Sequence, residues 1–328
     1  MAERSGIRWT NDPGPLGFAR RHAPHGFPVP IMLPKVLVID MDMLQLSIQV
    51  GVNGLMFGIV YILMALGFTM IFGIMRVVNF AHGEFYMLGA IAVLLLFGKL
   101  GYDYYLSLTI AVLFVGLFGV VVERLLLRSL VGRELNSMIM TLAISITMLS
   151  MVAIIFGPQE QSVDRPVSGI FQIAGVIIPQ DRVMVGAIAM AVLVVFYLFL
   201  HYARFGLAMR AVAQDSGAAE LQGIRPGFIY SLAFGVGSML AGLAGALMAP
   251  IYTISPFMGD VPMMMAFIVV ILGGLGSIPG AVVGGLLLGL VESVFSTFFG
   301  STAATMIAFG MVVLILLVKP SGLMGRAQ

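Results

Sequence analysis

From about Leu44 onward the chain repeats one pattern: apolar stretches near 20 residues long, divided by short loops that hold most of its charge. A helix needs about 20 apolar residues to cross a hydrocarbon core of roughly 30 Å, and a spanning segment must satisfy its own backbone. A water-soluble globule is excluded by the same pattern. Hydrophobic residues make up 60% of 328, against 17 Lys+Arg and 15 Asp+Glu, with a mean hydropathy of +1.08. Too few polar side chains remain to coat a soluble fold of that size. The expectation is an all-α, polytopic integral membrane protein whose first partner is the lipid bilayer. The 40 glycines and 25 methionines suit it, because glycine lets helix backbones approach and methionine fills irregular gaps. Cysteine is absent, which excludes disulfides, thiol catalysis and thiolate metal sites. A net charge of +2 with scattered basic residues excludes nucleic acid as a partner.

Nine spans emerge, with eight to ten as the range: about Leu44–Ile74, Glu84–Gly98, Tyr105–Leu127, Asn136–Phe156, Arg182–Tyr202, Pro226–Met248, Pro262–Leu272, Gly280–Phe298 and Thr302–Val318. The seventh is short enough to be re-entrant, and Pro226 suits the first turn of a helix. Ile173–Pro179 reads as a short extended segment inside a polar loop. The longest basic connection, residues 203–225, has helical character: Ala211, Ala213, Ala218, Ala219, Glu220 and Leu221 favour a helix, Asp215 can cap it, and Gly223 with Pro226 stops it.

Residues 1–40 differ from the rest, with six of the 15 prolines, two of the four histidines and the one tryptophan, Trp9. They read as a Pro/Arg-rich disordered extension, or as a start set too early, since Met41 and Met43 precede the first apolar run; residues 41–328 read as one transmembrane domain. Arg76, then Arg124, Arg128 and Arg133, then Arg204, Arg210 and Arg225, and finally Lys319 and Arg326 share one side under a nine-span count, which makes that side cytoplasmic. The connections near Tyr102, Ser162, Gly259 and Ser301 then face outward. Arg4, Arg8, Arg20, Arg21 and Lys35 fall outside under the same count, so either the extension does not set orientation or the first segment crosses twice.

Few charges interrupt the apolar runs. Glu292 lies mid-span, as a helix–helix hydrogen-bonding group or a transport residue, and is the one intramembrane carboxylate that an ion-coupled carrier would have to use. His82 and Glu84 read as a span boundary and make too poor a ligand set for a metal site. Glycines at four-residue spacing, Gly54 with Gly58, Gly280 with Gly284 and Gly285 with Gly289, predict close helix crossings. No G-x-x-x-x-G-K-[ST] run is present, so ATP would be bound by another chain, and no nucleophile or H-E-x-x-H motif supports an enzyme. Gly273-Gly274-Leu275-Gly276-Ser277-Ile278-Pro279-Gly280 lacks lysine and reads as a tight turn between membrane segments.

Specific strings go further. Asn79-Phe80-Ala81-His82-Gly83-Glu84 with Met87-Leu88-Gly89-Ala90, Arg210-Ala211-Val212-Ala213-Gln214-Asp215 with Ala218-Ala219 and Gly223-Ile224, the Gly273–Gly280 block, Glu292, and the tail Lys319-Pro320-Ser321-Gly322-Leu323-Met324-Gly325 resemble, in order, blocks of the branched-chain amino acid ABC importer permeases. The likeness runs from about 44 to 326 and is to the first of two paired permeases, in a superfamily that includes urea and amide permeases. It implies a second permease subunit, two ATP-binding cassette ATPase subunits, an extracytoplasmic substrate-binding protein, no cofactor on this chain, and a bacterial plasma (inner) membrane. It implies that Arg210, Gln214, Asp215, Ala218, Ala219, Glu220 and Gly223 form the segment that couples to the ATPase. An aliphatic zwitterion would then pass a mostly apolar lining, with Asn53, Thr141, Ser145 and Thr147 as candidate polar contacts.

Overall fold

The computed structural model describes residues 35–173, 176–319 and 321–325. The expected extension therefore lies outside the described residues up to Pro34. Its last part does not: α1 runs Lys35–Met75 as one helix, since no proline interrupts the chain between Pro34 and Pro158. The other elements are α2 His82–Val93, α3 Tyr104–Val122, α4 Glu134–Phe156, β1 Ile170–Ile173, β2 Val176–Pro179, α5 Gln180–Tyr202, α6 Arg204–Gln214, α7 Ser216–Leu221, α8 Pro226–Met248, α9 Asp260–Gly273, α10 Ile278–Phe299 and α11 Ser301–Val318. Wider π-helical turns extend α2 through Lys99 and α3 through Leu127. Among the described residues eight helices are long and apolar enough to span a membrane, and α9, with 14 residues, is the shorter apolar one.

Local chemistry explains the boundaries. The Asp103 carboxylate accepts from the Tyr105 and Leu106 N–H groups at 2.9 and 3.1 Å and starts α3. Ser277 accepts from the Gly280 N–H at 3.1 Å and starts α10, with Pro279 in its first turn. The extended segment seen in the sequence is part of a two-stranded sheet: β1 and β2 pair antiparallel, Phe171 opposite Ile178 and Ile173 opposite Val176.

Inside residues 43–325, α1 and α8 form the interior, while α4, α5 and α11 leave most of their apolar surface uncovered, as lipid-facing helices do. Small residues set the central crossings. A side chain on Gly58 would stand 3.1 Å from the Gly285 carbonyl, and one on Gly89 would collide with the backbone of Gly242. The predicted glycine faces are thus helix contacts, Gly54, Gly58, Gly285 and Gly289 between α1 and α10, and Gly280 and Gly284 between α10 and α9; the α2–α8 crossing at Gly89 is an addition to them.

Two ends of the bundle separate by composition. At one end Arg76, Glu134, Arg210, Gln214, Leu275 and Gly276 surround a shared cavity, Arg128 reaches Ser231 on α8, and Leu323 N–H donates to Leu272 carbonyl at 2.8 Å. At the other, Gln161 pairs with Ile254, Lys99 lies over the Phe156 ring and Arg182 reaches Asn53. The arginine-rich loops therefore gather at one end, which matches the alternation read from the sequence.

Candidate functional site

Two segments break the helical pattern. After α1 ends at Met75, residues 76–81 fold back toward the middle of the bundle, and α2 starts there. The Asn79 side chain accepts from the Ala81 N–H at 3.2 Å and turns the chain. The Thr141 hydroxyl accepts from the Phe80 N–H at 3.2 Å and lies 3.1 Å from the Val78 carbonyl, which fixes this strip against α4. Residues 249–259 do the same from the opposite end, and α9 starts at Asp260.

Depth follows from the long helices. The Ser145 hydroxyl donates to Glu84 Oε1 at 2.7 Å, and Ser145 is central in the 23 residues of α4, about 16 Å from either end at 1.5 Å per residue. His82 is equally deep. Its Nε2–H donates to the Met64 carbonyl at 3.0 Å, Phe68 meets its ring edge-on, and Met64 is well inside the span Met43–Met75. The sequence placed His82 and Glu84 at a span boundary, and the structure corrects this: the six-residue fold-back carries them to mid-depth.

The two half-helices meet at Gly83 and Gly259. A side chain on Gly83 would stand 2.6 Å from the Gly259 carbonyl, so both positions need glycine for the starts of α2 and α9 to touch. Around that meeting point Phe80, Glu84, Ser145, Asp260, Met263, Met264 and Phe267 enclose a cavity of about 250 Å³. Glu84 is buried, at 4% exposure. Intramembrane carboxylates are thus not limited to Glu292, since Glu84 and Asp260 share this space.

Comparison with known proteins fixes the family. The model of the branched-chain amino acid transport system/permease component family matches residues 51–318. The chain is 34% identical over 296 residues to the high-affinity branched-chain amino acid transport system permease protein BraD of Pseudomonas aeruginosa, covering 86% of this chain and 96% of that one. It is 32% identical over 296 residues to the corresponding protein LivH of Escherichia coli, covering 84% and 94%. A probable branched-chain amino acid transport permease of Methanocaldococcus jannaschii is 28% identical over 283 residues, covering 80% and 88%. The chain belongs to this permease family. No solved structure matches it.

With the family known, the permease's polar residues can be placed. Thr141 and Ser145 stand beside the Asn79–Glu84 strip, as described. Thr147 faces out from α4, with its hydroxyl bonded to the Ala143 carbonyl at 2.7 Å, and Asn53 sits at the β1–β2 end, 3.4 Å from both Gln49 Nε2 and Arg182 Nη1. The four residues therefore do not form one lining. Glu292 accepts from the Tyr61 hydroxyl at 2.5 Å and joins α10 to α1. Gly273, Gly274 and Gly276 form the tight turn expected, Gly274 and Gly276 with φ of 104° and 80°. The tail locks this turn, because Leu323 and Met324 N–H groups cap the carbonyls of Leu272 and Gly273 at the end of α9.

In residues 203–225 the Asp215 carboxylate caps α7 through the Ala218 N–H at 3.0 Å, and Gly223 ends it with a φ of 82°. Ala218, Glu220 and Leu221 face outward, Leu221 at 87% exposure; Ala219 is turned inward at 5%, so it packs α7 onto its own chain rather than onto a partner. Arg210 donates from Nη2 to the His201 carbonyl at 3.3 Å and, with Gln214, Arg76 and Glu134, borders a cavity of about 540 Å³. Sequence reading passed over Asp260, the acidic first residue of a proline-started half-helix, and Glu123, a lone carboxylate in an apolar run. Among the described residues no group of three His, Asp or Glu side chains is placed to hold a metal.

Proposed function

We propose that this chain is a transmembrane subunit of an ATP-binding cassette importer in the bacterial plasma (inner) membrane, carrying leucine, isoleucine or valine delivered by an extracytoplasmic binding protein. A second permease subunit and two ATPase subunits complete the assembly, and α6–α7 dock on an ATPase at the arginine-rich end. The observation that carries this reading is the cavity at mid-depth, built by the Asn79–Glu84 strip of a chain whose relatives are named for branched-chain amino acid transport. Phe80, Met263, Met264 and Phe267 give the cavity an apolar wall, which suits leucine better than urea. The outward face of α7, with Ala218, Glu220 and Leu221 left uncovered by the rest of the chain beside the capped turn of Asp215, supports docking because it is free to receive a partner.

A second reading has an observation of its own. Two mid-depth carboxylates, Glu84 and Asp260, are what an ion-coupled carrier requires. Uptake by the reconstituted complex separates the two, with leucine, isoleucine, valine and urea compared. The importer reading expects uptake of the three amino acids that needs ATP and survives collapse of ion gradients. Gradient-driven uptake by this chain alone, without nucleotide, would reverse the choice.

A further inference from the structure

We infer that the mid-depth cavity is a station for the substrate amino acid, with Glu84 and Asp260 receiving its α-ammonium; this rests on the importer reading above. Two observations converge on it. First, Glu84 is 96% buried by its 4% exposure, and of its two oxygens only Oε1 has a partner, the Ser145 hydroxyl at 2.7 Å. Among the described residues Oε2 has none, and Glu84 borders the cavity. A carboxylate held at mid-depth beside a second one must meet a cation or take up a proton, and the ion pairs among the described residues, Arg128–Glu123 and Arg165–Asp181, lie elsewhere. His82, the nearest basic side chain in sequence, has committed Nε2–H to the Met64 carbonyl.

Second, the remaining wall is Phe80, Met263, Met264 and Phe267, apolar and adaptable in shape. The start of α2 itself is closed, being buried with the Gly259 carbonyl packed against Gly83. One cavity therefore presents a cation acceptor site beside an apolar surface, which is the chemistry of an α-ammonium on an apolar amino acid and of neither urea nor a bare cation.

The test uses the full complex, with binding protein and ATPases, in proteoliposomes. Parent uptake of leucine is the gate for the importer reading; without it that reading fails, whatever the variants do. Given parent uptake, Glu84→Gln keeps the shape and the Ser145 contact but removes the charge. Leucine uptake falls about tenfold or more, the effect of one lost charge-assisted hydrogen bond, while assembly and ATP hydrolysis stimulated by the loaded binding protein persist. Asp260→Asn gives a smaller loss in the same direction. Uptake within twofold of the parent in both variants and in their combination overturns the inference. A second measurement does not depend on those variants folding. Because the native chain has no cysteine, Met264→Cys places a single thiol in the cavity. Leucine protects it from a small methanethiosulfonate reagent, whereas 4-methylpentanoate, leucine without its ammonium, does not. Equal protection by both compounds, or by neither, overturns the inference.

Discussion

Arg128→Ala is the substitution whose cost the structure defines best. The Glu123 carboxylate is fully buried where α3 meets α8, 3.5 Å from Arg128 Nε, and accepts from the Ser231 hydroxyl at 2.5 Å. Arg128 also donates to Ser231 Oγ at 2.8 Å and to the Gly227 carbonyl, so one guanidinium ties the last turns of α3 to the first turn of α8. At an effective dielectric of about 20, unit charges at that separation attract by roughly 5 kcal/mol. The arginine is 43% exposed, which screens the pair, and Arg124 Nε, already 3.3 Å from Ser231 Oγ, can partly replace it. Removing one partner of a buried pair costs about 3–5 kcal/mol, and these two allowances bring the expected loss to roughly 2–3 kcal/mol. At about 2–4 °C per kcal/mol for domains of this order of size, the midpoint of heat inactivation in detergent drops by roughly 5–10 °C. Glu123→Gln, which leaves no buried charge to strand, costs less than 1 kcal/mol or so. The double variant Arg128→Ala/Glu123→Gln therefore loses only about 1.5 kcal/mol against the parent, less than Arg128→Ala alone, with a coupling of about 1.5 kcal/mol. Fluorescence-detected gel filtration after a heating series reads all three. A double variant as heat-sensitive as Arg128→Ala, or an Arg128→Ala variant within 1 °C of the parent, would refute the view that the lost stability is the stranded carboxylate.

Three other perturbations test separate parts of the fold. Gly89→Leu drives a side chain into the backbone of Gly242 and is expected to abolish recovery of monodisperse protein, whereas Gly310→Leu, at a glycine with nothing within 4 Å, leaves it intact. Gly322→Val places a β-branched residue at a φ of 75° against Gly274, so it frees the tail from α9 and lowers heat stability by about 2 kcal/mol or more. Ala218→Trp and Leu221→Asp alter the outward face of α7 and reduce ligand-stimulated ATP hydrolysis with normal membrane insertion, while Ala219→Trp, aimed inward, harms insertion and stability first. Single cysteines at Ser162 and Leu221, both exposed, label from opposite sides of the membrane; labelling from the same side contradicts the arrangement of ends.

Much of this permease was legible in its sequence because hydropathy and capping are local. The long spans, the cap at Asp215, the stop at Gly223, the start at Pro226 and the glycine turn at 273–280 each depend on residues within a few positions of one another. What the sequence hid is non-local. Asn79–Glu84 has the composition of a loop following Arg76, and nothing along the chain says that the loop turns inward. That inward turn rests on Thr141, 61 positions away from Phe80, and on a glycine of α9's entry. Asp260 was passed over for the same reason: a short apolar helix with an acidic first residue reads as a surface start until its partner is known. Glu123 was hidden because its two ligands lie on either side of it in space, Arg128 five residues on and Ser231 on another helix.

The two hidden features bear on how a change at the arginine-rich end can reach the cavity. α9 is the only described helix with its N-terminus at the cavity and its C-terminus at that end. Its far end is held by Leu323 and Met324, and the following turn, through Leu275 and Gly276, borders the same space as Arg210 and Gln214 of α6. A helix of 14 residues is about 21 Å long and stiff over that length. Displacing its turn by α6 would therefore move Asp260 with little loss, since no soft segment lies between them. Residues 249–259, by contrast, join Asp260 to α8 through a non-helical strip that can absorb the change. Motion transmitted along α9 would alter the Asp260 side of the cavity while Glu84, held by Ser145 on the separate helix α4, stays in place. The two acceptors for one ammonium group would then part, and a site whose charged groups separate on command releases its ligand.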